Sequence, residues 1–410
     1  MSAEHIETLI IGGGQAGLTM SHMLSKRGCP HLVLERGRIA ERWRSERWDG
    51  LCFILPNWRV GLPDFPFPHT DPDGFTAGRE IVDYIAAYAD FIKAPVRCGV
   101  EVTALRARDG ASGFIAETTT GVIAAENVVC ATGPFQCPII PPVLAADESI
   151  FQVHARDYKN PKLLPAGAIL VVGAGASGAQ IAEELRRAGR KTYLSISRHW
   201  HGPRRYRSRD LSWWGSQFPG ADQVVTEADI DTRGDAHTGA HGGYTIDYRR
   251  SARQGMVLLG RAESARDGIM QFGPDLMAHL AEGDASYLAF LDRADALVAS
   301  KGLVLPDDPD ARIIDPGPPD LADAPRSLDL RAAGIGAVVW ATGYRYDFGW
   351  ITDVALSPLG VPLHDGGVGT QPGLYLLGLR NLHKRSSALL HGVGEDAARL
   401  AAHISKRVAS

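Results

Sequence analysis

The sequence predicts an α/β protein of two Rossmann-like dinucleotide-binding domains, one inserted into the other, and two observations carry that prediction. The stretch TLIIGGGQAGLTMSHML from Thr8 to Leu24 reads as a buried strand, a glycine-rich turn and a helix, and ILVVGAGASGAQIAEEL from Ile169 to Leu185 writes the same pattern again. Each is followed by a further apolar run, HLVLE and KTYLSIS, of the kind that suits parallel strands buried on both faces.

The remaining elements follow in order. Arg36 to Thr76 is rich in tryptophan, proline and glycine, which rules out a continuous helix or central strand and predicts a functional loop. GREIVDYIAAYADFI (Gly78 to Ile92) has helical apolar spacing, and the runs VRCGVEVTALRA, GFIAETTTG and VIAAENVVCATG read as strands of a small antiparallel layer returning to the main sheet. His199 to about Asp235 is an arginine- and tryptophan-bearing loop. Ser286 to Lys301 is expected as a helix, PDDPDARIIDPGPPDLADAP as a turn-rich connector, IGAVVWATGYRYDF as a buried strand ending in glycine, and the tail as a loop running into an amphipathic helix. Motif order sets the expected domains: residues 1–160 for the first part of one domain, 161–335 for the inserted one, and 336–410 for the return to the first.

Bulk properties narrow the function. At 410 residues, 45% hydrophobic and 22% charged, the chain has the composition of an ordinary globular protein. A net charge of -4 argues against general nucleic-acid binding, which needs a basic surplus. The acidic start MSAEHIE and the absence of a long apolar run lead us to expect a cytoplasmic protein with neither a secretory leader nor a membrane span. Five scattered cysteines without a C-x-x-C fit reduced thiols and no metal site.

The first fingerprint, Gly12-x-Gly14-x-x-Gly17, gains weight from Glu35 at the end of the next strand, where a carboxylate can accept from ribose hydroxyls. The second, Gly173-x-Gly175-x-x-Gly178, is followed by Ser197 and Arg198 with no acid nearby, a pairing suited to a 2′-phosphate. Two different ribose ends imply two different nucleotides, FAD in the first cradle and NADPH in the second, with hydride passing between them.

The sequence resembles the class B flavin-dependent monooxygenases, on the branch of flavin-containing and YUCCA-like enzymes. Besides the fingerprints, the motifs are VVCATG (Val128 to Gly133), VVWATGY (Val338 to Tyr344), ERWR (Glu41 to Arg44), LPNWRVGLPDFPFP and VHARDYKNP with His154 and Tyr158. The last is incomplete, since Glu148 and Ile150 stand where the family has phenylalanine and glycine. The resemblance implies that NADPH reduces FAD, that oxygen adds at the flavin C4a, and that one oxygen atom passes to nitrogen or sulfur of a small organic substrate, or into a carbonyl compound. Candidate cofactor contacts are Gly12, Gly14, Gln15, Ala16, Gly17, Glu35, Arg36, Trp43, Arg44, Thr132, Gly133, Gly173, Gly175, Ser177, Gly178, Ser197, Arg198, Thr342 and Gly343. Asn57, as a donor over the flavin ring, and His391, as a substrate-binding or proton-moving group, are the candidate catalytic residues. His154 and Tyr158 are read as fixing the linker between domains. Trp213, Trp214 and Tyr206 are read as covering either substrate or nicotinamide.

Two other readings stay open on sequence. The same cofactor motifs would serve a reductase or dehydrogenase passing electrons to a quinone or protein without oxygen transfer, and a nucleotide-binding sensor or ion-transport accessory would need only one of them. A disulfide reductase is excluded by the missing dithiol. The expected partners are a small-molecule substrate and molecular oxygen, with a homodimer as the assembly.

Overall fold

The computed structural model describes residues 3–108, 110–142, 150–224 and 234–408. Two sheets organise them. In the first, strands Leu374–Leu376, Gly121–Cys130, Glu4–Ile11, His31–Glu35 and Val96–Cys98 run parallel in that spatial order. Leu9, Ile10, Val33, Val128 and Val129 are fully buried there, as two-sided cover of a parallel sheet requires. Strands Val102–Ala107 and Phe114–Thr118 form the expected antiparallel layer, handing the chain back through Gly121–Cys130. In the second sheet, Phe151–His154, Ile335–Trp340, Ala168–Val172, Thr192–Ser195 and Val257–Leu259 are parallel throughout.

This pairing shifts both expected boundaries. Phe151–His154 lies before residue 160 and Ile335–Trp340 at and beyond 335, yet the two strands pair with each other inside the second sheet. The inserted unit therefore begins near residue 150 and ends near 340. Two short crossings join it to the first unit, and they are bonded to each other: Cys137–Pro138 pairs antiparallel with Tyr344–Arg345. The Ile139 amide donates to the Gly343 carbonyl at 3.0 Å, and the Asp347 amide to Gln136 Oε1 at 2.6 Å.

Helices Gln15–Ser25 and Val393–Val408 pack together on the first sheet, so the end of the chain is held by its beginning. Leu400 and Ile404 are fully buried in that contact, each worth about 1.5–3 kcal/mol. Helix Gly78–Phe91 falls where its spacing predicts. The helix expected from Ser286 instead runs Leu276–Lys301. Gly283 lies within the added turns, and the His199 ring fills its side-chain space, with Nε2 2.5 Å from where a Cβ would stand.

The segment after His199 is also more ordered than a loop. Residues Leu211–Gln217 form a short helix capped by Asp210, and Trp214 and Tyr206 are buried against Leu291 and Ala294 of the long helix. Trp214 Nε1 donates to the Tyr206 carbonyl at 3.1 Å. These two rings are core, so they do not cover a substrate or the nicotinamide. Residues 225–233 of that segment, and Glu148, lie outside the described residues.

Candidate cofactor and substrate site

Both cradles are built from the same contacts. A Cβ at Gly12 would stand 2.5 Å from the Ala131 carbonyl oxygen, and one at Gly173 would stand 2.5 Å from that of Ala341. A Cβ at Gly17 would lie 1.9 Å from the Gly12 oxygen, and one at Gly178 equally 1.9 Å from the Gly173 oxygen. Gly12 and Gly173 hold φ of +117° and +104°, a region that favours glycine. Each A-T-G strand end is thus the wall against which its own glycine turn closes.

The middle glycine behaves differently. Nothing lies within 4 Å of a Cβ built on Gly14, so the chain leaves open space where a pyrophosphate would approach. Gly14 and Gly175 cap their helices without a side chain, and neither helix carries an acid in its first turn. Their leading amides thus have no side-chain acceptor, which fits two bound anions. Helices Leu211–Gln217 and Tyr248–Arg253, by contrast, are capped by Asp210 and Asp247.

Around the first cradle, Glu35 is buried and accepts from the Gly13 amide at 2.6 Å through Oε2 and from the Gly37 amide at 2.8 Å through Oε1. A carboxylate offers about four acceptor sites, so two remain for ribose hydroxyls. Gln15 donates to the Ala388 carbonyl at 2.8 Å and accepts from Trp43 Nε1 at 3.3 Å, tying the cradle to the C-terminal loop and the aromatic segment. Trp43 meets Phe53 edge-on at 5.7 Å and lies under the Arg47 guanidinium. Ala16 packs beneath Gly378, leaving its backbone to face a ligand. Arg36 makes an exposed pair with Glu101 at 3.8 Å, and Arg44, also exposed, donates to the Ile39 carbonyl. Both guanidiniums thus have protein partners near their own loop.

At the second cradle, Ser177 and Ser197 are half-buried. Arg198 is engaged by Glu282, with Nη2 at 2.8 Å and Nε at 3.1 Å from one carboxylate oxygen. The sequence showed no acid near Arg198 because Glu282 arrives from the long helix. Thr132 accepts from Gln136 at 3.0 Å, and the Thr342 hydroxyl donates to the Ile139 carbonyl, so both threonines secure the crossings. Gly133 and Gly343 hold φ of +74° and +86° at the same turns.

His154 accepts the Arg156 amide on Nδ1 and donates from Nε2 to the Gly343 carbonyl at 3.1 Å. Tyr158 donates to Glu184 at 2.7 Å. His154 thus holds the second crossing, while Tyr158, expected to fix the linker, lies within the inserted unit and ties its first loop to helix Ala176–Arg187.

Asn57 is buried in a single helical turn, Asn57–Arg59, and its amide nitrogen donates to the Asp71 carbonyl at 2.9 Å. That carbonyl orients the amide and leaves Oδ1 as a buried acceptor with no partner among the described residues. The expected donor is therefore partly committed to its own loop, and what it offers inward is an acceptor. His391 precedes helix Val393–Val408. Both its ring nitrogens are buried without a hydrogen-bond partner among the described residues. Burial, followed by the charge of Arg59, pushes its pKa down to about 4, so the ring is neutral at pH 7. The glycine pair beside it serves packing: a Cβ at Gly392 would strike the Ser386 carbonyl, and one at Gly394 would strike Pro63.

Sequence reasoning passed over Arg59, Asp222 and Lys384, which line one cleft near His391. Arg59 stood two residues from Asn57 in a quoted motif; the other two come from distant parts of the chain and carry no local signal. Cysteine chemistry is absent from the site. All five thiols are free, and burial raises Cys52 to about 11 and Cys130 to about 12. Among the described residues, no helix is long and apolar enough to cross a membrane, and no cluster of three or more His, Cys, Asp or Glu could hold a metal.

Comparison with known proteins agrees with this geometry. Residues 9–218 match the family model described as pyridine nucleotide-disulphide oxidoreductase. The chain is 31% identical over 396 residues to the uncharacterized oxidoreductase CzcO-like of Geobacillus kaustophilus, covering 96% of both. It is 32% identical over 193 residues, 46% of each chain, to the probable indole-3-pyruvate monooxygenase YUCCA1 of Arabidopsis thaliana. The flavin-containing monooxygenase from Stenotrophomonas maltophilia shares the fold with a TM-score of 0.67 at 18% identity, over 99% of both chains. The expected fold and the FAD and NADPH pair are borne out. The chain is an oxidoreductase belonging to the pyridine nucleotide-disulphide oxidoreductase family, on the class B flavin-dependent monooxygenase branch that its motifs resemble.

Proposed function

We propose that the protein is an NADPH-dependent monooxygenase that transfers one oxygen atom of O2 to nitrogen or sulfur of a small organic substrate, with carbonyl insertion of the Baeyer-Villiger type as the variant chemistry. The pair of matching cradles, one backed by a ribose carboxylate and the other lacking one, supports hydride passage between two nucleotides, and the monooxygenase-like segment LPNWRVGLPDFPFP with the similarity to YUCCA1 carries the choice of oxygen transfer over the reductase. When bound, FAD supplies hydride acceptance from NADPH and activation of oxygen.

The chain supplies position and exclusion of water. Gly12 to Gly17 with Glu35 hold the flavin nucleotide, and Gly173 to Gly178 with Ser197 hold the nicotinamide nucleotide. Ring packing joins Phe65 to Tyr84 and to Phe91, with Phe65 and Phe91 stacked at 4.9 Å, and fixes the conformation of the adjoining segment. Asn57 Oδ1 accepts from a bound donor, and the neutral His391 ring accepts or donates a proton at substrate. Arg198, held by Glu282 through Nε and Nη2, reaches a 2′-phosphate with its remaining donors or by exchanging Glu282 for it. The proposed setting is the cytoplasm and the proposed assembly a homodimer, which light scattering tests.

The deciding experiment supplies ¹⁸O2 and NADPH to the purified FAD-loaded protein with an aryl methyl sulfide. Sulfoxide carrying one ¹⁸O, formed in step with NADPH consumption, is the expected result. NADPH oxidation that yields peroxide alone, together with efficient reduction of a quinone, would replace this reading with the reductase.

A further inference from the structure

A cleft of about 520 Å³ opens where three distant segments meet: the turn at Arg59, the stretch from Gly215 to Gln223, and Lys384. The second and third segments are locked together. Asp222 accepts from the Ser386 amide at 2.8 Å and the Ser386 hydroxyl at 2.7 Å, and its own carbonyl accepts from the Arg385 amide at 3.2 Å. Lys384 reaches Glu395 and lies 4.0 Å from Asp222.

Arg59 is the exception in this arrangement. Its guanidinium lies over the Trp58 ring at 5.6 Å and has no hydrogen bond or ion pair among the described residues. It is half-buried, and burial disfavours its charge while the Asp222 carboxylate across the cleft partly offsets that. A partly desolvated cation facing a cleft beside a committed carboxylate is an unfilled anion position, and a guanidinium fork matches a carboxylate in two parallel hydrogen bonds. Phe218 gives the cleft an apolar wall, and His391 sits close enough to feel the charges of both Arg59 and Asp222.

We propose that this cleft binds the carboxylate of an aryl or alkyl carboxylic acid substrate, with Arg59 as its anchor. The assignment names the substrate class for the oxygenation proposed above and rests on that reading for its role, though not for its binding test.

The test measures binding to the oxidised, FAD-loaded protein with NADP⁺ present, by quenching of tryptophan fluorescence and by the flavin difference spectrum. The probes are 4-(methylthio)benzoate and its neutral isostere 4-(methylthio)benzamide. We expect the acid to bind on the order of 10- to 100-fold more tightly, the worth of a charge-assisted contact. That ratio should collapse towards one in Arg59→Gln and recover in part in Arg59→Lys. Equal affinities in the unaltered protein, no binding of either probe, or a ratio that survives Arg59→Gln would each overturn the proposal. A fall in NADP⁺ affinity in Arg59→Gln with the ratio intact would overturn it in favour of a cofactor contact. Should Arg59→Gln fail to retain flavin, the probe pair on the unaltered protein and on Arg59→Lys still decides. If the ratio behaves as expected and no sulfoxide forms in air, the oxygenation reading fails while the anchor stands.

Discussion

Tyr158 donates a hydrogen bond to Glu184 across 2.7 Å, joining the loop after strand Phe151–His154 to the helix behind the second cradle. Burial raises the Glu184 pKa, while the bond from Tyr158 opposes that rise by holding the carboxylate form. Replacing Tyr158 with Phe removes the donor and leaves a buried carboxylate unsatisfied. We expect a loss of about 1–3 kcal/mol in unfolding free energy by urea titration, with the bound-flavin spectrum unchanged.

Glu35 holds the Gly13 and Gly37 amides as well as the expected ribose. Glu35→Gln keeps the shape but exchanges an acceptor for a donor facing one of those amides. FAD content read at the flavin absorbance band should fall, with affinity roughly 10- to 100-fold weaker, as befits a lost charge-assisted bond. Unchanged affinity would remove Glu35 from the site.

The two inner glycines separate the two cofactors. An alanine at Gly17 or Gly178 would force a methyl group to 1.9 Å from a carbonyl oxygen, so each helix must shift. Gly17→Ala should yield protein poor in FAD. Gly178→Ala should keep its yellow colour and raise KM for NADPH by tenfold or more, at about 1.4 kcal/mol per decade. Equal loss of flavin in both would refute the assignment of cradles to cofactors.

Arg198 is bonded to Glu282 in the structure. Releasing it with Glu282→Gln should improve selectivity for NADPH over NADH, and Arg198→Ala should erode it, each by roughly tenfold in the kcat/KM ratio. An unchanged ratio in Arg198→Ala would take this arginine out of 2′-phosphate recognition.

Acidification should unfold the protein through its buried histidines. Burial is the leading cause in each, lowering His199 and His391 to about 4 and His237 to about 3. Since the unfolded chain takes up protons near pH 6.5 and the native rings do not, stability is full above that value and falls as pH drops towards 4. Each ring contributes up to about 1.4 kcal/mol per pH unit. Thermal melts from pH 7 to 4.5 should show the decline, and His391→Asn should flatten it; an identical slope would show that the His391 ring titrates normally.

Much of the fold was legible because it is local. The strand, turn and helix of each cradle lie within a short stretch, and the glycines at 12, 17, 173 and 178 are fixed by contacts that any such turn must make. What escaped depended on partners far away in sequence. The long helix extends ten residues before its expected start (276 against 286), through Gly283, whose side-chain space His199 occupies, and Arg198 showed no acid nearby until Glu282 arrived from that helix. Trp214 advertised a surface role and turned out to be core, because the face of the long helix that buries it, Phe290, Leu291, Ala294 and Leu297, comes from more than seventy residues further along the chain (290 against 214). Arg59, Asp222 and Lys384 meet only through tertiary structure, and no spacing rule links them.

The bonding of the two crossings to each other has a mechanical meaning. Separate linkers would let the inserted unit slide, twist and rock over its partner. A single short ribbon, pinned by Gln136, Ile139 and the Thr342 hydroxyl, resists sliding and twisting, because either would break its ladder. Bending across the ribbon leaves its own ladder intact, but it must break the bonds that tie the two units elsewhere, Asp49 to the Lys159 carbonyl, Arg204 to the Ile54 carbonyl and Ser386 to Asp222. The nicotinamide carrier is therefore braced on both sides of the crossings where the left-handed glycines Gly133 and Gly343 stand. A hydride passed between the cradles would then cross a fixed geometry, without a search through orientations.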